Sequence, residues 1–329
     1  MSPLVPAARP TLHFIGVTTG KSSIMQVFPA WAAHLGLDAA ISGIDFPLHA
    51  PPEAYREAVS FIAGDPLSRG ALVTTHKIDL YRACHDLFGE TDEYARLMDE
   101  TSCLSKRDGR LVCHAKDPIS SGLAIDGFLP HAHFARAGAE LPRAEPPGAE
   151  LFVLGAGGSA IAITWHLMQA GRGADRPRAV TVSDPDAHRL AEIERIHRLI
   201  GSDVPVRYVA PATRADNDAV LARLPPGSLV VNATGLGKDR PGSPLGDGAR
   251  FPERAIAWDL NYRGDLLFLA QARAQQTARQ LQVEDGWSYF LHGWTQVIAE
   301  VFAIDLPTAG PAFDRLGEIA ARHGGRPGG

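Results

Sequence analysis

The sequence predicts an α/β protein: an N-terminal open α/β domain, residues 1–125, followed by a doubly wound parallel-sheet domain, residues 126–289. Three observations carry this reading. From Leu12 to Thr75, short apolar runs alternate with segments of helical periodicity, which is β-α-β logic and favours a mostly parallel sheet. The stretch "ARAGAELPRAEPPGAE", residues 135–150, breaks that alternation with proline, glycine and charge and is expected to be a connector. Directly behind it, "LFVLGAGGSAIAITWHLMQAG" joins an apolar run to a glycine-rich turn and an apolar helix.

Taken in order, "LHFIGV" (residues 12–17) is strand-like, and "IMQVFPAWAAHLGL" carries Ile24, Phe28, Trp31 and Leu35 at helical spacing, with Pro29 expected near a helix start or kink. "DAAISGIDFPL" is a second strand, "PPEAYREAVSFIAG" a helix opening on prolines, and "RGALVTT" a third strand. That third strand, buried from Ala71 to Thr74, runs into Thr75, His76 and Lys77 without a surface turn. A strand that ends in polar side chains delivers them to a site. The terminal segments "GWTQVIAEVFAIDL" and "AFDRLGEIAARHGG", within residues 290–329, are expected to be helices returning to the first domain, and the tail "GGRPGG" to be disordered.

Bulk properties limit the function. With 329 residues, 45% of them hydrophobic, the chain can bury one large core or two ordinary ones. No apolar run approaches a bilayer-spanning length, and "MSPLVPAARP" lacks the pattern of a secretory signal, so a cytoplasmic protein is expected. Cys84, Cys103 and Cys113 are odd in number and lack metal-ligand spacing; they are read as reduced small residues, with no metal site. A net charge of −5 and the absence of a basic stripe argue against nucleic acid as the partner. A small-molecule substrate is expected, on a monomer or homodimer.

The second half carries the sharpest signal. Leu151–Leu154 form a short buried strand; Gly155, Ala156, Gly157 and Gly158 make a tight turn with close backbone approach; Ala160–Met168 continue as helix. Strand, glycines and helix together place free amides where they can hold a pyrophosphate. The next strand, "AVTVSDP", ends in Asp184, an acidic residue where a ribose hydroxyl is normally held, which favours NAD over NADP. Its spacing from the glycines exceeds the usual ~20 residues, which "GRGADRPR" explains as a loop insertion. Two alternatives stay open: Asp184 as a cap of the following helix, and NADP through Arg189. "GSLVVNATGLG" is another buried strand, ending in Asn232, Ala233, Thr234 and Gly237 beside the cofactor edge, and "AIAWDLNYRGD" ends a strand with Asp259, Asn261 and Tyr262.

These motifs in this order resemble the shikimate dehydrogenase family over nearly the full chain: "GVTTGKSS", "VTTHK", "HAKD" forty residues later, "GAGGSAIA", "NATGLG", "DLNY" and "GWTQVIAEVF". The resemblance implies a Rossmann domain behind a substrate domain, with Lys77 and Asp117 facing each other across the substrate. It also implies substrate contacts for Ser22, Thr74, Ser102, Tyr262 and Gln296, and NAD, or else NADP, as cofactor. The chemistry is consistent with this. Oxidation of a secondary alcohol sends a hydride to the nicotinamide and a proton to a positioned acceptor. A free lysine titrates near ~10.4, desolvation favours its neutral form and a neighbouring carboxylate its ammonium.

The departures from the family surround the substrate. Its Ser-x-Ser arrangement keeps Ser22, but Ile24 replaces the second serine and Ser23 lies between them; Ser102 and Ala115 stand where asparagines are usual; "VTTHK" lacks the usual proline and is one residue short. The implied substrate is a cyclic polyol or hydroxy acid with a different polar periphery: shikimate, quinate or a relative. A nicotinamide-binding regulatory protein on the same fold, and another two-domain enzyme such as a folate-linked dehydrogenase, are the alternatives.

Overall fold

The computed structural model describes residues 4–140, 148–238 and 240–324. Contacts divide the chain into two units, one reaching to Ser120 and resuming at Leu291, the other Ser121–Phe290. No described helix is long and apolar enough to cross a membrane.

The first unit is built on a six-stranded sheet of β1 (Thr11–Gly16), β2 (Ala40–Asp45), β3 (Ser68–Val73), β4 (Glu90–Thr91), β5 (Cys103–Arg107) and β6 (Arg110–His114). The strand order is β2-β1-β3-β5-β6-β4. β1 pairs in parallel with β2 and β3, and is buried at every position, as expected of a strand covered on both faces. β5 runs antiparallel to β3 and to β6. The tight β5–β6 connection places Asp108 at φ 50° and Gly109 at φ 75°, the left-handed pair that a two-residue hairpin of this twist demands. The core gathers Ile15, Ile44, Tyr55, Val59, Ile62 and Leu80 around this sheet.

Helix Ile24–Leu35 buries Ile24, Val27, Phe28 and Trp31, the apolar stripe its periodicity announces. Pro29 lies inside that helix rather than at its start, so the hydrogen bond to the carbonyl four residues back is lost there. Helix Pro311–His323 packs against it, and the Trp31 indole Nε1 donates to the Leu316 carbonyl at 2.9 Å.

The second unit has a sheet of six parallel strands: β7 (Leu151–Leu154), β8 (Val180–Ser183), β9 (Val206–Val209), β10 (Leu229–Asn232), β11 (Ile256–Asp259) and β12 (Gln282–Glu284). The order β12-β11-β10-β7-β8-β9 reverses direction between β7 and β10, each buried throughout. In an open sheet of this kind, ligands bind beyond the carboxyl ends of the strands at such a reversal.

Two expectations change. The connector expected at residues 135–150 begins as helix His133–Glu140, because the alanines, arginine and glutamate of "ARAGAE" are good helix formers that outweigh its one glycine; residues 141–147 lie outside the described part. The expected disorder of "GGRPGG" falls, from residue 325 on, outside the described residues as well.

Candidate active site

The first unit positions the residues expected to transfer the proton. β3 stops at Val73, one residue earlier than expected, and Thr74 donates its amide to the Ile15 carbonyl at 3.0 Å. Thr75 then takes φ 62°, and His76 donates back to the Thr74 carbonyl at 2.6 Å. A β-branched residue in the left-handed region is a steric outlier costing about 1–3 kcal/mol, a strain that persists where the surroundings impose it. The consequence is an abrupt reversal that makes Lys77 the first residue of helix Lys77–Cys84 rather than the residue after a strand.

Asp117 is likewise the first residue of helix Asp117–Phe128. The Lys77 ammonium Nζ donates to Asp117 Oδ2, and the two side chains are only 15% and 10% exposed. Lys116, next to Asp117, is paired instead with Glu300 at 2.7 Å. His76 is no second base in this geometry: its Nδ1 meets the Tyr55 hydroxyl at 2.9 Å, and burial keeps its imidazole below the ordinary histidine range and hence neutral.

The remaining expected substrate residues are distributed unevenly. Ser102 is buried between β3 and β6: Val73 donates its amide to the Ser102 carbonyl, and Ser102 donates its own to the His114 carbonyl. Its hydroxyl oxygen accepts the Lys116 amide at 2.6 Å, which fixes the entry to the Asp117 helix and leaves the O–H as a donor. Ser22 is half-buried at the end of a short 3-10 turn, Thr19–Lys21, which Asp45 pins by accepting the Thr19 amide at 2.7 Å. Thr74 and Gln296 are half-buried in the same unit, Gln296 on helix Trp287–Phe302. Ile24 is fully buried in the core. Tyr262 lies in the other unit, its ring against Trp287 and Phe290 with centroids 5.3 and 4.8 Å away.

The second unit carries the elements expected to hold a dinucleotide. Gly155 has φ 104°, and a Cβ there would stand 2.7 Å from the Ala233 carbonyl oxygen, so only glycine lets the turn and the β10 loop approach each other. Gly157 precedes helix Gly158–Met168; no side chain caps this helix, and a Cβ at Gly157 would meet nothing within 4 Å. An uncapped helix start with open space before it fits a pyrophosphate. Gly155→Ala should destabilise the protein by about 2 kcal/mol or more and abolish dinucleotide binding, read by thermal unfolding and by titration of cofactor fluorescence.

Ala233, Thr234 and Gly237 form a loop braced by Asn232. The Asn232 amide nitrogen donates to Asp259 Oδ2 (3.1 Å) and the Leu236 carbonyl (3.3 Å), while its oxygen accepts from the Thr234 amide and hydroxyl. With all its polar atoms committed, Asn232 shapes the loop. Asp259 is fully buried, and desolvation, against donors from Asn261 and Asn232, pushes its acid up to about 7.

At the end of β8, Asp184 accepts the Ala156 amide on one oxygen and the Asp186 amide on the other, both at 2.9 Å. It therefore ties the glycine turn to its own strand end, and is 7% exposed. Asp186 caps helix Ala187–Ile200 and is open to solvent, a second carboxylate at the same strand end.

Comparison with known proteins matches this arrangement. No family model matches the chain. It is 29% identical over 289 residues to the shikimate dehydrogenase (NADP(+)) of Afipia carboxidovorans, covering 86% of this chain and 87% of that protein. The same identity holds over 313 residues with the shikimate dehydrogenase (NADP(+)) of Methylocella silvestris, 95% of this chain and 97% of the relative. The chain is similar to shikimate dehydrogenases over most of its length, at a divergent level. It is a dehydrogenase.

Solved structures agree at the level of fold. The shikimate dehydrogenase of Aquifex aeolicus superimposes with a TM-score of 0.68 at 15% identity, over 97% of this chain and 99% of that one. Quinate dehydrogenase from Corynebacterium glutamicum in complex with NAD gives 0.68 at 19%, over 94% and 98%. A 5-ketofructose reductase of a Gluconobacter species gives 0.60 at 18%, over 96% and 99%.

Two residues escaped the sequence reading. Asp186 had a signal, since it precedes the helix as an N-cap aspartate should. Glu100 had none: a single glutamate in "DETSC" gives no hint that it is fully buried.

Proposed function

We propose that this dehydrogenase oxidises, reversibly, a secondary hydroxyl of a cyclic polyol or hydroxy acid, with Lys77 as the proton acceptor. The observation that supports it best is the Lys77–Asp117 pair, held in a nearly dry setting at the first residues of two helices. In the oxidising direction the substrate O–H proton passes to Lys77 Nζ as the carbonyl forms. Asp117, hydrogen-bonded to Nζ, orients the amine and accepts from a substrate hydroxyl on its remaining lone pairs. A bound nicotinamide supplies the hydride acceptor, and Gly155, Gly157, Gly158 and the loop Ala233–Gly237 are the residues that would hold the dinucleotide. Ser22, Thr74, Ser102 and Gln296 are the hydroxyl and amide groups that would fix the ring. An absorbance screen for reduced nicotinamide with shikimate, quinate and ring polyols tests this; no turnover with any of them, despite dinucleotide binding, would favour the regulatory alternative.

For the cofactor, the curated relatives carry NADP(+) in their names, yet the end of β8 presents two carboxylates, Asp184 and Asp186, with the exposed Arg189 3.8 Å from Asp186. A 2′-phosphate placed there meets like charge, which supports NAD. Wild type should show kcat/KM for NAD about tenfold above NADP, equivalent to ~1.4 kcal/mol. Asp186→Ser, which leaves both Asp184 bonds in place, should narrow the ratio. A wild type that prefers NADP would overturn this assignment.

A further inference from the structure

Glu100 lies beside the Lys77–Asp117 pair, yet the proposed proton transfer gives it no task. It follows Asp99, which ends helix Glu93–Met98 in the left-handed region at φ 54°, and precedes the two residues that join the sheet. Those two neighbours bind the two helix starts. The Thr101 amide donates to the Lys77 carbonyl at 3.2 Å, and the Ser102 hydroxyl accepts the Lys116 amide at 2.6 Å, one residue before Asp117. The segment is thus a clamp between the backbones that carry Lys77 and Asp117. Glu100 itself is 0% exposed, and neither carboxyl oxygen has a hydrogen-bond partner among the described residues.

We propose that Glu100 is a positioning residue of the proton-transfer site, a second carboxyl group whose charge sets how readily Lys77 gives up its proton. The inference rests on the dehydrogenase reading above. Burying two carboxylates around one ammonium leaves an excess negative charge in a dry site, so one carboxyl is driven towards its neutral form. Lys77 and Asp117 already form the direct pair, which makes Glu100 the group that yields.

The groups that act on it are Lys77, Asp117 and the Cys113 thiol of β6. Cys113, pushed up to about 12 chiefly by burial, stays neutral. Desolvation raises the Glu100 acid to about 7; the Lys77 ammonium lowers it and the Asp117 carboxylate raises it. Below that pH the cluster of Lys77, Asp117 and Glu100 is neutral. Above it, an ionised Glu100 adds a negative charge that holds the proton on Lys77, opposing the neutral amine that alcohol oxidation needs.

The test is the pH dependence of kcat/KM for alcohol oxidation in wild type, Glu100→Gln and Glu100→Asp. Glu100→Gln removes the charge at nearly constant shape, and the rising limb of its profile should move to lower pH by about one unit, the effect of one neighbouring charge. Glu100→Asp should keep the wild-type limb, and dinucleotide affinity should stay the same in all three. A Glu100→Gln profile that superimposes on wild type, in a folded protein, would overturn the proposal. Carboxyl-carbon NMR of wild type with isotope-labelled glutamate gives a reading independent of any variant and of turnover. One glutamate should titrate near neutrality; all of them titrating in the ordinary acid range would sink the idea. If wild type oxidises no polyol while that one glutamate still titrates near neutrality, the proposed substrate falls and the charge assignment stands.

Discussion

Lys77→Ala should lower kcat by about 10²- to 10⁴-fold while leaving dinucleotide affinity nearly unchanged, because the proposed role of its side chain is in proton transfer and not in holding the dinucleotide. The separation between the two readouts follows from the architecture: Lys77 opens a helix of the first unit, whereas Gly155–Gly158 belong to the second. Removing the lysine also strips Asp117 of its cation in a site where that carboxylate is 10% exposed. Some of the loss should therefore appear in substrate binding, since removing one partner of a buried ion pair reorganises its surroundings. Asp117→Asn provides the complementary reading. Its amide preserves the shape but not the charge, so a larger share of its defect should fall on KM. Steady-state kinetics with the substrate found in the absorbance screen, beside cofactor titration, separate these effects, and full activity in Lys77→Ala would remove the central assignment.

How far the sequence disclosed this site depends on which forces place each residue. The glycine turn was legible because strand, glycines and helix are local in sequence, and Gly155 is required by its own φ of 104°. Lys77 was legible as a residue delivered by β3, yet its place at a helix start was not, since Thr75 adopts a backbone conformation that threonine propensity argues against. Asp184 illustrates a different limit. Its strand-end position was readable, but the two backbone amides it accepts come from Ala156, 28 residues away, and Asp186. Glu100 marks the far end of this range. Its burial arises from a clamp joining Lys77, His114 and Lys116, contacts that no period or motif encodes.

Shikimate should be a poor substrate compared with a ring polyol that lacks the carboxylate. Ser22, Thr74, Lys77, Asp117 and Gln296, the groups proposed to hold ring hydroxyls, lie in the first unit, but Ile24 stands where the family resemblance implies a second carboxylate-binding serine, fully buried beside Val27, Phe28 and Trp31. A core isoleucine offers no donor. One missing partner for a charged oxygen costs ~1–3 kcal/mol, about tenfold to over a hundredfold in affinity. Restoring the serine at position 24 is an unsuitable test, because truncating a fully buried aliphatic side chain costs ~2–5 kcal/mol of stability and would confuse binding with folding. The informative comparison keeps the core intact: kcat/KM for shikimate against the neutral polyol, in wild type and in Lys21→Ala. Lys21 is exposed directly before Ser22, where its ammonium could take the place of the lost donor. Wild type should favour the neutral polyol by about tenfold or more, with Lys21→Ala changing little. If wild type instead favours shikimate and Lys21→Ala abolishes that preference, the lysine anchors the carboxylate and the altered-substrate reading is wrong.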